Sequence, residues 1–298
     1  MSYISVAEAA KKWELSERSV RWYCSEGRIP GAVLVGKTWN VPENAERPDR
    51  INKHIEQPLS LLDTLKLEKA GKISGGIYHR IQIDLTYNSN HIEGSRLTHD
   101  QTRYIYETNT IGLSEATLPV DDIVETANHF KCIDLIIDNA NYALSEAFIK
   151  QLHAVLKGGT SDSRRDWFTV GDYKKLPNEV GGMQTTAPEH VSAEIKELLA
   201  EYNSLPIKTF DDLLEFHYRF ERIHPFQDGN GRVGRLILFK ECLRNNIVPF
   251  IIEDDIKLFY YRGLKEWSNE RGYLRDTCLT AQDRFKEWLR YFRVEIED

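Results

Sequence analysis

Beyond about residue 58, apolar residues recur at the three- and four-residue spacing of a helix, which is typical of amphipathic helices packed on one core. The pattern predicts ten helices, over residues 59–70, 76–89, 97–108, 120–138, 145–157, 191–204, 209–223, 231–246, 256–269 and 274–293. Residues 165–188 differ, because aromatic and β-branched residues there surround a Gly-Gly pair, as in a β-hairpin. The sequence therefore predicts a mainly α fold, a helical bundle with one exposed hairpin.

The first 48 residues follow a different pattern. Ser5 and Glu8 fit a capping box that opens a short helix, and a second short helix after Ser16 ends at Gly27. The next stretch, IPGAVLVGKTWNVP, alternates apolar residues on both sides of a Gly-Lys pair, which indicates a two-stranded wing. Two short helices across a tight turn, followed by a hairpin, predict a small winged helix-turn-helix domain.

This N-terminal stretch resembles the excisionase-like and MerR-like helix-turn-helix modules, whose second helix faces DNA. The resemblance implies DNA contacts from Arg18 and Arg21 on the second helix and from Lys37 on the wing. Three basic residues are few for a nucleic-acid footprint. The alternative is therefore a small docking module that binds no DNA.

A polar segment bounded by prolines, residues 43–58, predicts a linker. We expect a first domain at 1–48, the linker and a leading helix at 49–74, and a second domain at 75–298. Residues 1–50 carry eight basic and seven acidic side chains, a net charge of +1. The whole chain carries −7, so the remaining residues carry −8. An acidic body disfavours nucleic-acid binding by the whole chain, so DNA binding is expected only of residues 1–48.

Composition narrows the class further. With 298 residues, 41% of them hydrophobic and 29% charged, the chain is typical of globular proteins. It has neither the apolar core of a signal peptide nor a run of about 20 apolar residues. The four cysteines are far apart, so neither a disulfide framework nor a zinc site is indicated. We expect a cytoplasmic protein without a membrane partner.

The stretch HPFQDGNGRVGR, residues 224–235, lies between two predicted helices. Gly229, Gly231 and Gly234 match a dinucleotide-binding fingerprint, but that fingerprint must follow a strand. A glycine-rich loop that opens a helix is instead an anion site, because free N–H groups and the positive end of the helix dipole face the ligand. The loop therefore predicts a phosphate-binding site.

The polar residues of the loop indicate what is done to the phosphate. Arg232 and Arg235 on the first helical turn can pair with further phosphates. Asp228 repels a bare phosphate, and a Mg²⁺ ion held by this carboxylate and the substrate phosphates removes the conflict. His224 can accept a proton from an attacking hydroxyl. These residues predict metal-assisted nucleotidyl or phosphoryl transfer.

The stretch matches the signature of the Fic-domain family, His-Pro-Phe-x-Asp/Glu-Gly-Asn-Gly-Arg-x-x-Arg, at every fixed position. The resemblance covers residues 75–290 and implies a helical fold with a hairpin flap that transfers AMP from ATP to a Ser, Thr or Tyr hydroxyl of a protein. It implies His224 as the general base, Asp228 as the Mg²⁺ ligand, Asn230 at the α-phosphate, Gly229 and Gly231 as N–H donors, Arg232 at the β-phosphate and Arg235 at the γ-phosphate.

Residues outside the loop extend this resemblance. Phe226 is expected to turn inward as an anchor, and His217, one turn before the loop, is expected to be a packing residue. Tyr260 and Tyr261 are candidates for the adenine pocket, although aromatic residues on a helix are more often core. In the predicted flap, Lys174 stands where the family usually has arginine. A flap commonly aligns the target by pairing with it as a strand.

The segment SNHIEG fits the inhibitory Ser/Thr-x-x-x-Glu-Gly/Asn motif of Fic proteins, with Ser89, Glu93 and Gly94 at its fixed positions. It ends the helix predicted around residues 76–94, where Gly94 can stop the helix. The resemblance implies that Glu93 pairs with Arg235 and keeps ATP from its productive position. The alternative is an exposed glutamate at a helix end. In some relatives the same glutamate supports removal of AMP.

Two other functions remain open at this point. One is a DNA-binding transcription regulator whose Fic domain only senses nucleotide. The other is a Fic enzyme that transfers UMP, phosphocholine or phosphate. Self-modification is expected where flexible hydroxyls lie nearby, since their effective concentration is high. The sequence leaves the target protein and a homo-oligomeric state open.

Overall fold

The computed structural model describes residues 2–13, 15–25, 27–48, 59–112 and 117–295. The chain divides into two compact units, residues 1–57 and 58–298. The second half of the predicted linker, residues 49–58, lies outside the described residues. Among the described residues no helix combines the length and the apolar character needed to cross a bilayer.

The smaller unit contains two short helices and a three-stranded antiparallel sheet. The helices are α1 (Val6–Trp13) and α2 (Glu17–Ser25), and the strands are β1 (Tyr3–Ser5), β2 (Val33–Val35) and β3 (Thr38–Pro42), in the order β1-β3-β2. Ser5 and Glu8 form the predicted capping box. The Ser5 N–H donates to the Glu8 carboxylate at 2.8 Å, and the Glu8 N–H donates to Ser5 Oγ at 3.2 Å. Both helices and the hairpin are confirmed.

The prediction missed strand β1. It pairs with β3 in the register Tyr3↔Pro42, so its partner lies far along the chain, and three residues carry too little alternation to predict a strand. Arg18 and Lys37 are exposed, and Arg21 pairs with Glu17 at 2.6 Å on the surface of α2. DNA binding by these three basic residues remains a prediction.

The larger unit consists of ten α-helices and a short hairpin among its described residues. The helices are α3 (Leu61–Gly71), α4 (Ile77–Ile92), α5 (His99–Thr108), α6 (Val120–Asn139), α7 (Glu146–Lys157), α8 (Pro188–Ser204), α9 (Phe210–Ile223), α10 (Asn230–Arg244), α11 (Lys257–Glu266) and α12 (Gly272–Phe292), and the hairpin joins β4 (Glu179–Val180) to β5 (Met183–Gln184). All ten helices lie where the apolar spacing predicts them, and the hairpin lies within residues 165–188.

Helix α10 runs through the centre of the bundle. Thirteen of its fifteen residues are buried, and it contacts α9, α6, α7 and α4. A helix that is buried on every side is held from all directions. The loop in front of α10 is therefore placed on the most constrained element of the unit, and the C-terminal end of α4 reaches the same place.

Candidate active site between α9 and α10

The loop between α9 and α10 is bounded by two residues in the left-handed backbone region. His224 ends α9 with a φ of 53°, and its N–H donates to the Phe220 carbonyl at 2.9 Å. Gly229 precedes α10 with a φ of 80°, a conformation that favours glycine. These two residues bound the loop, and the first N–H groups of α10, which have no partner within the helix, lie at its end.

Phe226 and Asn230 close the loop from inside. The Phe226 ring is fully buried, as predicted, and stacks on the ring of His153, with centroids 4.0 Å apart. The Asn230 side chain accepts from the Phe226 N–H at 2.7 Å and donates to the Phe226 carbonyl at 2.8 Å. The amide of Asn230 therefore shapes the loop, and its contact with an α-phosphate remains a prediction.

His153 on α7 supports the loop in one protonation state. Its Nδ1 accepts from the Gly171 N–H at 2.9 Å, so Nε2 carries the proton and donates to the Asp228 carbonyl at 3.2 Å. Burial lowers the pKa of His153 to about 4, so the ring stays neutral near pH 7. Sequence reasoning missed this residue, because nothing in the sequence links α7 to the loop.

His224 is held as a neutral base. Its Nδ1 lies 3.3 Å from the Glu221 carbonyl, and because a carbonyl only accepts, Nδ1 carries the proton and Nε2 keeps a lone pair. Burial lowers the pKa of His224 to about 4, and the nearby Lys174 ammonium adds to that effect. The free Nε2 can therefore take a proton near pH 7.

Asp228 belongs to a cluster of charged side chains in which Lys157 also pairs with Asp162, at 3.5 Å. Asp228 Oδ2 lies 2.5 Å from Lys157 Nζ and 3.2 Å from an Arg232 nitrogen, and Glu125 on α6 pairs with both of these cations. Although burial alone raises the pKa of Asp228, Arg232 and Lys157 lower it to about 2. The Asp228 side chain is 48% exposed, so it remains open on one side.

Arg235 is held by the end of helix α4. One of its terminal nitrogens donates to Glu93 Oε1 at 2.7 Å and to the Ser89 carbonyl at 2.9 Å, and its Nε donates to Ser89 Oγ at 3.0 Å. Glu93 immediately follows α4, and Gly94 has a φ of 93°. The ion pair expected from the SNHIEG segment is present in the structure.

Glu93 lies directly against the backbone of the loop. A Cβ atom added at Gly231 would clash with Glu93 Oε1, so any side chain at this position would require Glu93 to move. The carboxylate therefore occupies the space beside the first turn of α10, where the free N–H groups would receive an anion.

A cavity of about 570 Å³ opens beside this pair and is lined by His224, Glu93, Arg235, Tyr261 and the β4–β5 hairpin. Tyr260 also lines it, but its hydroxyl lies 2.6 Å from His217 Nε2 and the residue is buried. Tyr261 is partly exposed and donates to the Ile92 carbonyl at 3.1 Å. His217 is a buried packing residue, as predicted.

Glu221 was also missed by sequence reasoning. Its Oε1 is buried at the cavity wall and has no hydrogen-bond partner among the described residues. Burial raises the pKa of Glu221 to about 8, Arg235 opposes that shift and Glu93 adds to it. The carboxyl is therefore mostly protonated at pH 7. Its position three residues before His224 is the one signal that the sequence offered.

The fit of a divalent cation can be judged from the donor groups. Asp228 is a hard oxygen ligand with one exposed side, and the neighbouring glycines leave room for phosphate oxygens, which is the combination that suits Mg²⁺. Within the part of the chain that the structure describes, no group of three or more His, Cys, Asp or Glu side chains could hold a metal ion without a substrate.

Comparison with known proteins identifies part of this unit. Residues 143–241 match the model of the Fic/DOC family, so the chain contains a Fic/DOC domain. The protein adenylyltransferase Fic of Aedes aegypti is 26% identical over 223 residues, which cover 74% of this chain and 42% of that protein. The protein adenylyltransferase fic-1 of Caenorhabditis elegans is 24% identical over 182 residues, 60% of this chain and 35% of that protein. The chain thus spans about two fifths or less of the length of these relatives.

Solved structures agree on the fold. A Fic-domain-containing signalling protein from Bacteroides thetaiotaomicron superposes with a TM-score of 0.62 at 22% identity, covering 80% of this chain and 98% of that one. Fic-1 from C. elegans superposes with a TM-score of 0.59 at 20% identity, covering 77% and 70%. The bundle and its hairpin therefore form a Fic-type fold.

Proposed function

We propose that the Fic/DOC domain of this chain is a protein adenylyltransferase that transfers AMP from ATP to a Ser, Thr or Tyr hydroxyl of a protein. The observation that carries the proposal is the state of His224. Its neutral ring keeps Nε2 unprotonated at the edge of a loop whose N–H groups can receive phosphate oxygens. A base beside an anion-binding helix N-terminus suits attack by a hydroxyl on phosphorus.

In this reaction the target hydroxyl oxygen attacks the α-phosphorus of ATP. The hydroxyl proton passes to Nε2 of His224, a new P–O bond forms, and the bond from the α-phosphorus to the bridging oxygen breaks. Pyrophosphate leaves. The N–H groups that open α10, with Arg232 and Arg235, stabilise the charge that develops on the phosphate oxygens.

Asp228 would hold the Mg²⁺ ion, which when bound neutralises phosphate charge. The aspartate suits this task because it stays ionised at any physiological pH, its pKa being lowered to about 2 by Arg232 and Lys157 against the effect of burial. Lys157 and Arg232 also keep the carboxylate fixed next to Gly229, at the place where the phosphates would enter.

We propose that Glu93 restrains this activity. While Glu93 holds Arg235 at 2.7 Å, the guanidinium is not free for the γ-phosphate, and the carboxylate itself repels phosphate oxygens. A reacting group displaced by about 1 Å can lose about 100-fold in rate. ATP bound beside this ion pair would place its α-phosphate poorly for in-line attack.

The test is label transfer to protein from α-labelled ATP, run beside γ-labelled ATP. Wild type, Glu93→Gly and Glu93→Gly/His224→Ala are compared, with intact-mass spectrometry to identify the group added. We expect label from the α-position only, about 100-fold more of it in Glu93→Gly, and none above background once His224 is removed.

Each other outcome has a definite meaning. Label from the γ-position would make the protein a kinase. A different added mass would mean another donor. Equal α-label in wild type and Glu93→Gly would disprove the restraint and leave the transferase intact. No transfer from ATP, tested on the protein itself and on a cell extract, would contradict the adenylyltransferase proposal.

A further inference from the structure

Lys174 lies where the chain enters the β4–β5 hairpin, and its side chain is buried although it carries a charge. The residue is only 4% exposed, whereas the adjacent Lys175 is exposed. A buried ammonium is costly unless its hydrogens are bonded. The contacts of Lys174 therefore indicate what keeps it there.

The ammonium joins three segments of the chain. It donates to Asn178 Oδ1 at 2.7 Å before β4, to Thr185 Oγ1 at 2.6 Å after β5, and to the Ile223 carbonyl at 3.3 Å at the end of α9. All three donors of an ammonium are thus used. Both arms of the hairpin are tied through one atom to the residue before His224.

The backbone of Lys174 completes the arrangement. Its N–H donates to the Pro225 carbonyl at 2.9 Å, so one residue binds the carbonyls on both sides of His224. Asn178 continues the connection, because its amide donates to the Phe226 carbonyl at 3.0 Å. The left-handed turn at His224 is therefore fixed by the base of the hairpin as well as by α9.

The position of Lys174 also affects the charge on His224. Besides burial, the charged groups that influence the pKa of His224 are Lys174, which lowers it, and Glu93 from the end of α4 and Asp228 from the loop, which raise it. Arg235 from α10 lines the same cavity but is neutralised by Glu93. Lys174 is the cation on this list, and its charge adds to the effect of burial, which keeps Nε2 unprotonated.

We propose that Lys174 is a positioning residue for His224, which fixes the peptides on both sides of the histidine and links them to both arms of the β4–β5 hairpin. The proposal rests on the role of His224 as the base in the proposed function. It adds a connection between the hairpin, where a target segment would lie, and the group that takes the target's proton. Movement of either hairpin arm would then displace the base.

The experiment uses the full chain with Lys174→Met, Lys174→Arg and Thr185→Val. The His224 titration is measured with Glu93 in place, and AMP transfer is measured in the Glu93→Gly background. Lys175→Met is the matched control, since it removes the same charge from the neighbouring exposed position. The first measurement is the NMR titration of the His224 imidazole, assigned by comparison with His224→Gln. The second is kcat and KM for AMP transfer against pH.

In Lys174→Met we expect the His224 imidazole to titrate at a higher pH. We also expect kcat to fall about 10-fold or more, with KM for ATP unchanged. Lys174→Arg should recover most of both properties, Thr185→Val should shift both weakly in the same direction, and Lys175→Met should leave both unchanged. A merely structural lysine would lower the amount of folded protein without moving the titration.

The proposal is overturned if the His224 titration and kcat in Lys174→Met equal those of the parent protein, or if Lys175→Met changes them as Lys174→Met does. If Lys174→Met does not fold, Thr185→Val decides, and an unchanged His224 titration in that variant overturns the proposal. If no variant transfers AMP, the proposed function fails, while the NMR titration still decides whether Lys174 controls His224.

Discussion

Arg232 and Arg235 lie one turn apart on α10, and both side chains are 6% exposed, yet their surroundings differ. Arg232 belongs to a cluster in which it shares Glu125 and Asp228 with Lys157, and Lys157 also pairs with Asp162 at 3.5 Å. Arg235 has a single carboxylate within ion-pair distance among the described residues, Glu93, which is 33% exposed at the end of a helix.

The difference between the two arginines indicates which ion pair can open. In the Arg232 cluster every side chain contacts at least two opposite charges, so none of them can leave by breaking a single ion pair. Glu93 can turn into solvent and leave behind only Arg235, which an incoming phosphate can neutralise. The loop motif thus contains two arginines three residues apart, Arg232 with ion pairs that stay closed (the permanent cluster) and Arg235 with an ion pair that can open (the releasable pair).

The largest expected effect is on the permanent cluster. Glu125→Gln leaves Lys157 with Asp228 and Asp162 and leaves the buried Arg232 with Asp228 alone, and removing one partner of a buried ion pair costs about 3–5 kcal/mol of unfolding free energy. Urea denaturation measures the change. The matched control is Asp138→Asn on the same helix, whose exposed pair with Lys69 should be worth less than about 1 kcal/mol. Equal losses of unfolding free energy in the two variants would mean that the buried cluster contributes no more to stability than the exposed ion pair.

The next effect concerns the releasable pair. Glu93→Gln keeps the length of the side chain and removes its charge, so we expect AMP transfer to rise about 100-fold, close to the level of Glu93→Gly. Ser89→Ala, which removes only an acceptor of Arg235, should raise it much less. Initial rates with α-labelled ATP measure both. If Glu93→Gln stays as slow as wild type, the restraint is steric and not electrostatic.

Acid should weaken the permanent cluster at a defined pH. Because Arg232 and Lys157 lower the pKa of Asp228 from 3.8 to about 2 against the effect of burial, the folded state keeps this carboxylate ionised while the unfolded chain protonates it. Its contribution is complete above pH 4 and lost as the pH falls to about 2. The difference in unfolding free energy between wild type and Asp228→Asn should shrink over that window. A constant difference would contradict the assignment.

A second titration is expected beside Arg235, where Glu221 is a second carboxyl without a cation of its own. Its pKa is raised by burial from 4.5 to about 8, so the unfolded chain releases this proton before the folded protein does, and stability is lost as the pH rises through that range. The unfolding free energy of Glu221→Gln relative to that of wild type should increase from pH 4.5 to 8, as measured by urea denaturation. A pH-independent difference would mean that Arg235 compensates both carboxylates.

The sequence by itself determined the helices, the hairpin and the position of the candidate loop at residues 224–235. Amphipathic spacing is a local property, and the ten predicted helices are all present because each one has apolar residues at helical spacing that must be buried. The loop HPFQDGNGRVGR carries its phosphate chemistry in consecutive residues, so its glycines, base and arginines could be interpreted without a fold. The segment SNHIEG added Glu93 through a family resemblance.

Only the tertiary structure decided which charges are shared. Glu125 and Lys157 precede Asp228 by 103 and 71 positions, and no local pattern relates side chains that meet only when α6, α7 and α10 pack together. The same holds for His153 under Phe226 and for Lys174 beside His224. Burial lowers the pKa of His153 to about 4 and that of Lys174 to about 8, and burial is a property of the packed core, which the order of residues along the chain does not specify locally.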